Sequence, residues 1–247
     1  MNSTDDQPFR DELFDDLHTA GTCPPMTMKG TIDKALFLIL IVSVSAALTW
    51  TYIPGSVPLM LGAVFCAFVV GFGTSFRTSL SPVTAPLFAL LEGVFIGGFS
   101  GWMEILYPGI VAQALILTFC VFFFVLALLR ARIISATEKF RSIVIGATGG
   151  IILFYIGGIV LAALGISFGL EGVWGWLGLV FSIVVVIVAA ASLVLDLDYI
   201  EQGVGHGLPK RHEWYAAFTL LVTLVWLYLE ILKLLVKLRI LLQSIRS

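Results

Sequence analysis

Seven apolar runs, each near twenty residues and parted by short polar stretches, decide what this chain can fold into. They cover roughly 31–52, 58–74, 84–102, 109–129, 142–165, 174–195 and 214–236. At about 1.5 Å of rise per residue, each is long enough for a hydrocarbon core about 30 Å thick, the second only just. Lipid offers no partner for backbone N–H and C=O groups, so such runs must be helices that satisfy their own backbone. The short alternating segments of a lipid-facing barrel are absent from the sequence. Composition agrees: 12% of residues are charged and 59% hydrophobic, against about 25% charged in a soluble domain. The expected class is an all-α membrane protein with seven transmembrane helices.

Lys and Arg set the expected orientation. Lys29 and Lys34 stand at the start of the first run, Arg77 follows the second, Arg130, Arg132, Lys139 and Arg141 follow the fourth, and Lys210 and Arg211 follow the sixth. The three alternate connections, YIPGSVP, MEILYPG and the stretch around Glu171, carry neither residue. Cytoplasmic loops are enriched in Lys and Arg, so the amino terminus is expected inside. Trp50, Tyr52, Trp102, Tyr107, Trp174 and Trp176 gather at the opposite interface, as an aromatic belt does. Residues 2–18 are acidic and polar, without the basic start and early apolar core of a signal peptide. The expected organisation is an acidic, flexible cytoplasmic tail (1–30), a seven-helix domain (31–240) and a short tail (241–247), in the cell's inner (plasma) membrane. The last run is the exception. Its far end is basic (Lys233, Lys237, Arg239, Arg246), against the charge rule for a seventh crossing. It either crosses fully, held by packing, or turns back as a re-entrant helix.

Several function classes are disfavoured. There is no basic footprint for nucleic acid at a net charge of −2. Cys23, Cys66 and Cys120 are scattered and odd in number, which gives neither a disulfide framework nor metal spacing. His18, His206 and His212 form no closed zinc set. An intramembrane aspartyl protease would need a GxGD context that the chain lacks. A retinal protein would need its lysine away from a basic helix end, where Lys233 sits. No enzyme and no resident cofactor is expected.

Two patterns inside the runs carry more. Ala85, Ala89, Gly93, Gly97 and Gly101 recur every four residues and make one smooth helix face, with Gly146, Gly150, Gly157 and Gly158 in the fifth run. Such faces serve tight packing or sliding during gating. Four acids also lie within runs or at their ends: Glu92, Asp196, Asp198 and Glu230. Placing an ionisable group at depth costs about 2.5–3.5 kcal/mol on insertion scales, so each is a functional candidate. Asp196 and Asp198 are roughly 200° apart around a helix and cannot share a face. Asp196, the deeper, is the candidate for the inward face; the bland alternative is that Asp196, Asp198 and Glu201 end the helix in water. Glu92 is either an ion contact or a member of a packing network. In the last run His212, Tyr215, Thr219, Thr223, Trp226, Glu230, Lys233 and Lys237 form one polar stripe, expected to face protein or a water-filled path. Glu230 and Lys233 are also spaced to pair with each other.

The stretches "LDLDYIEQG", "EWYAAF", "LVWLYLEILKLL" and "PLFALLEGVFIGG" resemble the transmembrane Bax-inhibitor-motif family, in its bacterial branch, over about residues 26–242. The resemblance implies a seven-helix fold with the last helix central and the other six around it. It implies a calcium leak gated by two acids that titrate together, on helices six and seven. Matched onto this chain they are Asp196 and Glu230, the latter standing where many members have Asp. A basic partner of the pair corresponds to Arg77, which reads equally well as an inside anchor.

Two carboxyl groups held together away from water favour a form with one shared proton. Losing that proton leaves repelling anionic oxygens, ligands for a hard cation such as Ca²⁺. The resemblance alone implies calcium as permeant ion, with Asp196 and Glu230 as transient contacts. The competing expectation is a non-conducting stress-response regulator that binds a membrane protease or other helices.

Overall fold

The computed structural model describes residues 24–165 and 175–246. The acidic stretch before Pro24, including His18 and Cys23, and the connection holding Glu171 and Trp174 lie outside the described residues. The described chain forms α1 (Met28–Tyr52), α2 (Val57–Phe76), a 3₁₀ turn (Thr78–Leu80), α3 (Ser81–Leu106), α4 (Ile110–Arg130), α5 (Glu138–Ala163), α6 (Gly175–Gly205) and α7 (His212–Arg246). Seven helices are thus long and apolar enough to cross a membrane, and among the described residues there is no strand, only an isolated bridge between Pro25 and Pro209.

Local chemistry places the helix ends. Thr27 caps α1, its Oγ1 accepting the Gly30 N–H at 3.0 Å; Thr137 caps α5 through Phe140, with Glu138 in the first turn beside the positive end of the helix dipole. Between α3 and α4 the chain turns within a few residues. Gly109 takes φ 83°, and Glu104 accepts the N–H groups of Gly109 (2.6 Å) and Val111 (3.2 Å). A carboxylate thereby meets the orphan donors of the α4 N-terminus.

Two helices run well past the apolar runs. The sixth run ends near residue 195, yet α6 continues to Gly205, so Asp196, Asp198 and Glu201 lie within the helix rather than after it. The last segment is one unbroken helix from His212 to Arg246, with no turn at which a re-entrant segment would double back. Its basic residues have protein partners. Lys237 donates to Ser182 Oγ (2.8 Å) and the Gly178 carbonyl (3.4 Å). Arg239 donates to the Pro108 carbonyl at 3.1 Å and lies over the Tyr107 ring. The basic end of α7 is thus held by protein contacts.

The helices differ in enclosure. Half of the most apolar window of α3 and of α7 is buried within the protein, against 17–28% for the other five. Large side chains on the exposed faces, such as Phe65, Phe68 and Phe72 on α2, suit lipid contact, and Tyr52, Trp102 and Trp176 are exposed as interfacial aromatics are.

The chain divides into two compact units. Unit one takes residues up to Gly98 and Asp198–Leu221; unit two takes Phe99–Leu197 and the chain from Val222. In unit one the small-residue face of α3 lies hard against α1. A methyl on Gly93 would sit 2.6 Å from the Val42 carbonyl oxygen, and one on Gly97 would strike the Ala46 backbone. Ser45 Oγ donates to the Leu90 carbonyl at 2.8 Å across the same contact. The comparable glycines of α5 in unit two behave differently: at Gly146, Gly149, Gly150 and Gly157 an added methyl meets open space.

Candidate functional site: buried carboxylates of the last helix

α7 carries two buried carboxylates, one in each unit. Glu230, 2% exposed, belongs to unit two. Its Oε1 accepts from Lys233 Nζ (2.6 Å), Tyr155 OH (3.1 Å) and Trp226 Nε1 (3.2 Å), and Tyr155 OH also stands 3.2 Å from Oε2. Lys233 in turn donates to Tyr155 OH at 3.1 Å and lies 4.6 Å from the centre of that ring. Ammonium, phenol and carboxylate close a triangle. Trp226, Glu230 and Lys233 follow one another at steps of four and three on one face of α7, and Tyr155 is supplied by α5. The pairing of Glu230 with Lys233 read from spacing is made; Tyr155 was not foreseen, because a tyrosine in an apolar run gives no sign of what it will face.

The rest of the polar stripe is turned toward protein. His212 Nδ1 lies 3.2 Å from Tyr199 OH, and Thr223 is buried. Tyr228, next to the stripe, shares a 2.7 Å hydrogen bond with Ser100.

Asp196 lies on α6 in unit two, half-buried. It is about four turns beyond Ser182, the residue that receives Lys237 of α7, and so shares Ser182's stripe. Thr148 meets Ser192 at 3.5 Å, and the Phe154 ring meets Phe181 at 4.8 Å, so α5 and α6 run antiparallel. Asp198, on another side of α6, accepts from Gln202 Nε2 at 2.7 Å. Glu92 is buried on α3 in unit one, and Arg77 is exposed at the end of α2, its N–H on the Gly73 carbonyl.

The second buried carboxylate, Glu213, is fully enclosed in unit one. Its Oε1 accepts the Thr27 N–H and hydroxyl, both at 2.9 Å, and its Oε2 pairs with Lys34. Lys34 also lies over the Trp214 ring. Gly30 makes the room: a methyl there would sit 2.5 Å from the carboxylate oxygens. Above this, Met26 N–H donates to the Leu208 carbonyl (2.6 Å) and Lys210 N–H to the Pro24 carbonyl (3.0 Å). The start of α1 is thus fastened to the α6–α7 connection. Glu213 was passed over in the sequence because it opens a helix, where an acid needs no further reason; Gly30 and Lys34, one turn apart, were the available signal.

Among the described residues no three His, Cys, Asp or Glu side chains are placed to hold a metal ion together. A family model described as Bax inhibitor 1 like matches residues 2–240. No curated protein and no solved structure matches the chain.

Proposed function

The chain belongs to the Bax inhibitor 1 like family, and from that premise we propose that it is a pH-sensitive cation leak, passing calcium, governed by the carboxylates of helices six and seven. The observation that carries the reading is Glu230: a carboxylate 2% exposed on an enclosed membrane helix, held by an ammonium and a phenol. Such a group is costly to place and has no packing purpose that an apolar side chain would not serve better.

Asp196 and Glu230 act in this reading as the acidic pair of helices six and seven. Each binds a passing cation only when ionised, because a protonated carboxyl offers weaker oxygen ligands and no charge. Falling pH therefore lowers the leak and rising pH raises it. The form with one shared proton clamps the two helices together, and loss of that proton parts them. The chain acts as a conductor without chemistry, and no resident cofactor enters.

The test is calcium flux into liposomes holding the purified protein, from pH 5 to 8. Flux should rise with pH in the parent. Asp196→Asn and Glu230→Gln should each flatten the profile. A profile unchanged in both variants places the control elsewhere.

One observation favours a second reading. The open glycine face of α5 could receive a helix of another membrane protein, such as a protease, as a non-conducting regulator would require. Cross-linking from Gly150→Cys to a partner, in a protein that carries no ion flux, would support it.

A further inference from the structure

We propose that Lys233 is a tethered cation that occupies the Glu230 site and must be displaced before a permeating cation can bind there. The proposal rests on the leak reading for its physiological meaning, but not for its test.

The argument starts from what surrounds the carboxylate. Glu230 is enclosed, whereas the Lys233 side chain is 38% exposed. The anion is fixed and the cation sits at the edge, on a long flexible arm. Its ammonium has the two contacts that an incoming hard cation would want: Glu230 Oε1 at 2.6 Å and the Tyr155 hydroxyl oxygen at 3.1 Å. The third attraction, the face of the Tyr155 ring at 4.6 Å, acts on any cation. The carboxylate itself retains acceptor capacity. An ionised carboxylate has about four lone-pair positions, and among the described residues Oε2 is approached by the Tyr155 hydroxyl alone.

An ammonium is a compact charge that leaves by rotation of its own stem, without unfolding anything. A divalent cation brings twice the charge and prefers several oxygen ligands at once. It can thus outcompete the ammonium at a sufficient concentration, while a monovalent cation of the same charge as Lys233 gains little by the exchange. Lys233 is then a threshold as well as a plug: it sets the cation concentration at which Glu230 becomes available, and it favours divalent over monovalent ions.

Trp226 provides a direct readout, since its indole N–H lies 3.2 Å from the same oxygen. Terbium ion, a hard cation that takes oxygen ligands, luminesces when excited through a nearby indole. The purified full chain in detergent is titrated with Tb³⁺, comparing the parent with Lys233→Gln. Glutamine keeps an N–H donor near Glu230 and Tyr155 while removing the charge. Half-saturation should fall about tenfold in Lys233→Gln. The gain should vanish in Glu230→Gln/Lys233→Gln, and emission excited at the indole edge, beyond tyrosine absorption, should fall in Trp226→Phe/Lys233→Gln. Should Lys233→Gln fold poorly, Lys233→Met keeps the length of the stem and removes the ammonium while leaving Glu230 and Tyr155 in place; a fall in the same direction is expected. Equal Tb³⁺ affinity in the parent and in whichever of these variants folds overturns the tethered-cation proposal. Calcium flux measured on the same variants separates the two readings. Tighter Tb³⁺ binding without flux in any variant defeats the leak while supporting the role of Lys233.

Discussion

Glu213 and Glu230 show how a membrane helix carries a buried carboxylate: each is matched by a lysine and by a hydroxyl donor. Removing one partner of such a pair strands a charge, which costs about 3–5 kcal/mol when the site is buried. Glu213 is fully enclosed and Lys34 nearly so, so Glu213→Ala should lie in that range. Gly30→Ala tests the same cluster from the other side. Its methyl would sit 2.5 Å from the carboxylate, and overpacking of this kind costs about 1–3 kcal/mol. Both variants should lower the thermal midpoint in detergent, with Gly30→Ala the milder; an unchanged midpoint in both would show the anchor to be idle. The partnerships that cross between helices were not visible in the sequence. Thr27, Gly30, Lys34 and Glu213 are brought together only when the first and last helices meet, and composition does not report meetings.

Glycine spacing at the scale of the element proved ambiguous in an instructive way. Runs three and five both present glycines at small-residue spacing. In α3 they admit the α1 backbone to close contact; in α5 they meet open space. The same substitution should therefore have opposite consequences. Gly97→Ala drives a methyl into the Ala46 backbone and should destabilise by about 1–3 kcal/mol. Gly146→Ala has no clash and gains the helix preference of alanine, worth about 0.5–1 kcal/mol in water. Thermal unfolding of the two variants side by side decides it; equal losses would mean that the α5 face is packed after all. The length of α6 was underestimated from the apolar run because hydropathy ends where Asp196 and Asp198 begin, whereas hydrogen bonding of the helix continues to Gly205.

For the whole molecule, alternation of Lys and Arg between connections predicts the amino terminus inside. Seven crossings then put the end of α7 on the opposite side. In a background with Cys23, Cys66 and Cys120 replaced by serine, Ile53→Cys should react with an impermeant maleimide applied to intact cells. His206→Cys and Arg132→Cys should react only after the membrane is opened. Labelling in the reverse sense would overturn the orientation.

Sequence alone determined the class, the number of helices and the family, because the cost of exposing a backbone to lipid leaves a run of twenty apolar residues no alternative to a helix. It also placed Asp196 and Glu230 on successive helices. Tertiary structure alone decided which partners come from other helices: Tyr155 for Glu230, and Lys34 and Thr27 for Glu213. The reason is geometric. A side chain's distance along its own helix follows from 1.5 Å per residue, but its level against another helix depends on connection lengths, helix ends and packing that only the assembled chain sets.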